Sequence, residues 1–253
     1  MEADLKDALI ARLLAMADDE IILGHRDSEW CGHAPILEED IAFANIALDE
    51  IGHARLWYEL AAELVGADQT RYPDQQVYFR SAADFRCLQL VELPKGDWAF
   101  SMLRQYLFDA YEAHRLEGLV TSQHQPLADV AARIRNEELY HLRHTRAWVP
   151  RLGQGTEESQ RRMQAALDEL WPYAQAFGAP LPGELELGDM APDSRKLFEM
   201  WTQEVTVFLG ESRLQIPKAV PLVQVDRSVH SEYFPALIAD LQEVAQADPE
   251  AQW

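Results

Sequence analysis

Leu48-Asp49-Glu50-Ile51-Gly52-His53 and Asn136-Glu137-Glu138-Leu139-Tyr140-His141 are two versions of one element. Each contains Glu-x-x-His, with a carboxylate and an imidazole three residues apart. On a helix that spacing sets both side chains on one face, one above the other. One such motif is a weak signal. The neighbours carry more. Around the first pair, Phe43, Ile46, Glu50, His53, Trp57 and Leu60 follow steps of three and four. Around the second, Leu127, Ala131, Ile134, Glu138, His141, Thr145 and Trp148 do the same. Both stripes are apolar except at the pair and at Thr145, and an apolar stripe of this period faces a core. A carboxylate and an imidazole placed there are buried, which is costly unless they are paired or bind metal.

Two further stripes carry one intruder each. Residues 5–24 read as a helix whose face runs Leu9, Leu13, Met16, Glu20, Leu23, with Asp18 and Asp19 off the stripe. Residues 97–120 read as a helix whose face runs Trp98, Met102, Tyr106, Asp109, Ala113, Leu116. The Glu-x-x-His helices span about 36–65 and about 125–150. The spacing repeats: Glu20 to Glu50 is 30 residues and Asp109 to Glu138 is 29, while Glu20 to Asp109 is 89 and Glu50 to Glu138 is 88. Two hairpins of one design follow, each giving a lone carboxylate and a Glu-x-x-His. Four carboxylates and two imidazoles from four helices are the ligand set of a di-iron or di-manganese centre in a bundle. Glu50 and Glu138 are placed to bridge, Glu20 and His53 to complete one metal, Asp109 and His141 the other. Carboxylate and imidazole suit iron, with manganese as the alternative, and no thiolate sits on the ligand stripes. The competing reading is structural. Glu50, His53, Glu138 and His141 would then pair with Arg55, Arg104 or Arg143, or with one another.

The rest of the chain supports an all-α class. Asp27 to Pro35 is a short connection, with Pro35 expected in the first turn of the next helix. From Gly66 to Gly96 the periodicity fails, and Tyr72-Pro73 and Pro94-Lys95-Gly96 mark loops of a long crossover. Thr156 is expected to cap a helix with Glu157 and Glu158 in its first turn. That helix runs to about Phe177, and further helices cover about 193–213 and 231–246. The expectation is one domain over 1–253, with a core bundle at about 5–150 and a C-terminal helical extension at about 156–247. Trp171 and Trp201 add apolar surface beyond what four helices need, and are expected to serve an interface. His144, Glu137, Asp49 and Glu112 fall off the stripes, at the surface or behind the ligands. His33, His114 and His124 read as loop or surface residues, and Trp57 and Trp148 as core.

Composition narrows the function. The 253 residues are 48% hydrophobic and carry 22 Lys plus Arg against 43 Asp plus Glu, a net charge of −21. Such a chain is a poor nucleic-acid binder. It also repels an anionic substrate unless basic residues or a partner compensate. Two cysteines, Cys31 and Cys87, give no disulfide framework and suit a reducing cytoplasm. The acidic stretch from Met1 to Asp7 does not resemble a signal peptide. No run of 18 apolar residues exists to span a membrane.

Several segments go further. Ser28-Glu29-Trp30-Cys31-Gly32-His33-Ala34-Pro35, then Asp40 to Asp49, closely resemble the C subunit of bacterial phenylacetyl-CoA epoxidase. So do Arg104 to Ala110, Tyr140-His141-Leu142-Arg143, His230-Ser231-Glu232 and the final Gln252-Trp253. The resemblance implies a ferritin-like four-helix bundle with a long crossover. It also implies a place in a multicomponent monooxygenase of aerobic phenylacetate degradation. There the A subunit holds the working di-iron site and epoxidises the ring of phenylacetyl-CoA. The C subunit pairs with A, and a reductase subunit brings electrons from NADPH. Partners implied are thus the A subunit and the other subunits, with self-association, and the CoA thioester through the complex. The chain departs from the C-type pattern, which lacks the full ligand set, especially at the positions of Glu20, Glu50 and His53. Here all six residues are present, as in an A subunit. A metal-free scaffold and a stand-alone ferritin-like di-metal oxidase stand as the alternatives.

Overall fold

A computed structural model describes residues 2–218, 220 and 223–251. Met1 and the Gln252-Trp253 pair quoted above lie outside the described residues. Every regular element among the described residues is helical, so the all-α class predicted from the periodicity holds. The chain divides into two compact units, Met1–Pro94 with Asp226–Trp253, and Lys95–Val225. Each is built on one long helical hairpin.

In the first unit, α1 (Ala3–Ser28) packs against α2 (Leu37–Val65). The pair is antiparallel, because Gly24 of α1 approaches Ala47 and Glu50 while Asp18 reaches Tyr58. Pro35 lies one residue before the α2 cap, Ile36, rather than in the first turn. The first turn is acidic instead, through Glu38, Glu39 and Asp40. Gly66 ends α2 at φ 75°, where a Cβ would be strained, and Ala67 N–H returns to Ala62 O at 2.9 Å. The crossover is not all loop. Tyr72-Pro73 opens a helix, α3 (Tyr72–Tyr78), because proline fits a first turn as readily as a loop. A 3₁₀ turn at Ala82–Asp84 and α4 (Gln89–Glu92) follow.

The second half of α1 is buried on all sides, from Ala15 to Gly24. The crossover and the chain after Asp226 cover the side that α2 leaves open. Asp18 accepts from Tyr58 Oη, from Arg80 and from Arg86 N–H. Asp19 accepts from Leu88 N–H at 2.7 Å and from Arg227 at 2.8 Å. A buried carboxylate needs such company.

In the second unit, α5 (Trp98–Leu119) packs against α6 (Gln125–Gly153). Asp97 caps α5 and His124 caps α6. Thr156 caps α7 (Glu157–Ala174) as expected, sharing a capping box with Ser159. A 3₁₀ turn at Gln175–Gly178, α8 (Glu184–Leu187), a second 3₁₀ turn at Gly188–Met190 and α9 (Ser194–Glu211) follow. Trp201 of α9 donates to Leu107 O at 3.0 Å and stacks on Trp171. Both tryptophans are buried, so they fill the core of this unit and are not the surface expected of them. The last helix, α10 (Phe234–Ala247), returns to the first unit, where Gln242 donates to Val77 O and Arg80 O.

Candidate metal centre

The hairpin of the first unit brings Glu20, Glu50 and His53 together. Their donor atoms lie within 4.8 Å of one another. All three residues are at most 1% exposed. Gly24 explains the approach. A Cβ there would sit 2.9 Å from Ala47 O and 3.0 Å from Glu50 Cβ. With no side chain one turn after Glu20, α1 lies close enough for Glu20 to face the Glu-x-x-His of α2. His53 Nδ1 is 3.6 Å from Glu20 Oε2.

The second unit repeats the arrangement with Asp109, Glu138 and His141, again within 4.8 Å and buried. His141 Nδ1 is 3.3 Å from Glu138 Oε1. These separations exceed a good hydrogen bond. Two donors on adjacent corners of a shell with bonds of about 2.1 Å lie about 3 Å apart. Both spacings are compatible with groups that share an ion. Asp109 is held at both oxygens: Gln105 Nε2 donates to Oδ1 and Thr145 Oγ1 to Oδ2, each at 2.8 Å. Burial pushes the Asp109 carboxyl well above the usual range, and the neighbouring Glu138 charge pushes it further. A divalent cation would remove that penalty. The donor set, carboxylate and imidazole without thiolate, fits iron or manganese.

Within each unit, then, the predicted ligands converge. Two of the arginines offered as structural partners do not compete for them. Arg55 pairs with Glu59 at 2.7 Å and is exposed, and Arg143 lies over the Tyr140 ring. Glu112 is buried beside Arg115 and not at the surface, because α6, α7 and α9 cover α5. Gln105 is detectable as a partner of Asp109 from its spacing of four, and Thr145 from its place on the ligand stripe. The buried roles of Asp18 and Asp19 have no local signal.

A further cluster of ligand-type groups, Cys87, Glu92 and His230, also lies in the first unit. Glu92 accepts from His230 Nδ1 at 2.7 Å, Ser231 N–H at 2.6 Å and the Cys87 thiol at 3.4 Å. Burial and the Glu92 charge raise the Cys87 pKa, so the thiol keeps its proton. This cluster ties the chain after Asp226 to α4.

The model of a family described as phenylacetic acid catabolic protein matches residues 1–253. The chain belongs to this family. It is also 36% identical to the C subunit of 1,2-phenylacetyl-CoA epoxidase from Escherichia coli (strain K12). That alignment covers 248 residues, 97% of this chain and 99% of the relative. The family resemblance carried by the Glu29-to-Pro35 segment is thereby confirmed over the full length. Among the described residues, no helix is long and apolar enough to cross a membrane.

Proposed function

We propose that this chain is the C-type component of a multicomponent phenylacetyl-CoA epoxidase, with its own di-metal centre. The first part rests on the end-to-end identity of 36% to an epoxidase C subunit. The second rests on two buried triads, each of two carboxylates and an imidazole, set 88 to 89 residues apart in a repeated hairpin. The two units form one ferritin-like domain in this reading, and Glu20, Glu50, His53, Asp109, Glu138 and His141 hold two irons, or two manganese ions. An iron pair in such a donor set supplies activation of dioxygen. The chain's own part is positional. Thr145 and Gln105 orient Asp109, Gly24 sets the approach of Glu20, and Phe43, Ile46, Trp57 and Ile134 keep water from the ligands.

An A-type subunit is the proposed partner. On α2, the large apolar side chains Leu37, Ile41, Leu48 and Ile51 are exposed in one stripe, Leu37 by 70% and Leu48 by 66%. A stripe of that kind marks an interaction face. The −21 charge disfavours a CoA thioester on this chain alone. In this reading phenylacetyl-CoA is engaged through the partner, electrons come from a reductase subunit, and the assembled, self-associating complex works in the cytoplasm. The second reading, a metal-free scaffold, is favoured by one observation: the raised Asp109 carboxyl can keep a proton where an ion would sit.

Co-expression with an A subunit tests the function. A co-eluting complex whose ring-oxidising activity depends on this chain is expected. Separate elution at micromolar concentration, with full activity of the A subunit alone, would remove the support. Metal content of the isolated chain decides between the two readings.

A further inference from the structure

Trp57 carries an unused donor beside the first triad. The residue is fully buried. Its indole Nε1–H has no hydrogen-bond partner among the described residues. A buried tryptophan N–H ordinarily meets an acceptor, so an orphaned one needs a physical reason.

Three observations place this donor. Trp57 stands on the ligand stripe of α2, four residues after His53. Side chains on a helix lean toward its N-terminus, which carries the indole back over the turn that holds His53. The antiparallel hairpin then brackets it. His53 lies 3.6 Å from Glu20, and Tyr58 donates to Asp18. Between those two crossings, Trp57 is level with residues 18–20 of α1.

The repeat supplies the third. Thr145 follows Trp57 by 88 residues, the step that also relates Glu50 to Glu138 and His53 to His141. Thr145 Oγ1 donates at 2.8 Å to Asp109, the counterpart of Glu20. In the second unit, the residue four after the histidine thus fixes the lone carboxylate. In the first unit that position is Trp57. Glu20 has one more rotatable bond than Asp109, so its carboxylate has more directions to choose from. A hydrogen bond from a ring locked in the core would select one of them.

We infer that Trp57 is a positioning residue of the first triad, whose indole N–H donates to the Glu20 carboxylate when Glu20 turns to the ion. This role rests on the reading above, in which Glu20 is a metal ligand.

The test observes the N–H itself. The metal-free full-length chain is labelled with ¹⁵N in its seven tryptophans, and Trp57→Phe identifies the Trp57 indole resonance. Zn(II) is the probe, since it is diamagnetic and accepts carboxylate and imidazole. The Trp57 N–H resonance should move downfield as Zn(II) saturates the chain. In Glu20→Ala that movement should vanish. Trp57→Phe should weaken Zn(II) binding about 10-fold, the loss expected when a partner of a ligand is removed. A second variant carries the benzothienyl analogue of tryptophan at position 57, which keeps the double ring and replaces N–H by sulfur. It should lose the same affinity, whereas a merely space-filling role predicts full affinity. This analogue decides, and identifies the resonance, if Trp57→Phe fails to fold in thermal melts. Wild-type affinity in the analogue, or a Trp57 resonance that stays in place while Zn(II) binds, would overturn the role and leave the metal reading intact. A folded wild-type chain that binds no Zn(II) would overturn the metal reading, and this role with it.

Discussion

Gly24→Ala is the substitution whose sign tests how the ligand hairpin is built. In an open helix interior, glycine to alanine stabilises by about 0.5–1 kcal/mol. Here the new Cβ would meet Ala47 O at 2.9 Å, Glu50 Cβ at 3.0 Å and Ile51 Cγ1 at 3.2 Å. Two of the three are a backbone oxygen and the root of a buried ligand side chain, so neither swings away. Relief requires α1 and α2 to part by several tenths of an ångström. Overpacking of that kind costs about 1–3 kcal/mol. Net of the helix-propensity gain, the variant should lose up to about 2.5 kcal/mol. At about 3 °C per kcal/mol for a chain of this size, the melting temperature should fall by a few degrees. Parting the helices also widens the 3.6 Å gap between His53 and Glu20, so metal bound by the first triad should fall more than stability does. Thermal unfolding of the metal-free protein, with metal content measured in parallel, is the assay. A Gly24→Ala chain that melts higher than wild type would refute the close approach.

Thr145→Val removes the hydroxyl that donates to Asp109 Oδ2; metal affinity should drop about 10- to 100-fold with the fold intact by circular dichroism. Asp19→Asn leaves Arg227 facing a neutral group in a part-buried pocket, and should cost about 3 kcal/mol or more in urea unfolding. The Asp109 carboxyl is raised in the fold, so between its unfolded and folded values the native state holds a proton that the unfolded chain lacks. Stability of the metal-free protein should therefore fall as pH rises through that window. Metal binding should release protons, measurable with a pH indicator, and should tighten as pH rises.

Much of the site is legible because the chain states it twice. Glu20, Glu50, Asp109 and Glu138 each interrupt an apolar stripe, and local period alone places them in the core. The same logic cannot see Asp18 and Asp19. Their partners Tyr58, Arg80, Leu88 and Arg227 lie 40 to 208 residues away, and a stripe reports only what one helix face meets. Spacing misleads after residue 156 for a related reason. Trp171 and Trp201 fit a partner's groove and their own unit's core equally well by spacing, and only packing on Leu107 and Phe177 decides. Likewise nothing near Asp226 says that the chain turns back to Glu92 and Asp19. Pro35 and Pro73 each fall on the other side of a helix boundary from the one expected. Proline is compatible with a loop and with a first turn, and the residue before it settles which.

The proposed centre has six ligands on two hairpins that hold a pair of ions. The most direct measurement is metal analysis of the chain purified from iron-supplemented cells, beside Glu50→Ala and Glu138→Ala. Close to two ions per wild-type chain are expected, with less bound metal in either variant, since each substitution removes a ligand from its own triad. A folded wild-type chain with metal content near zero would contradict the proposed centre.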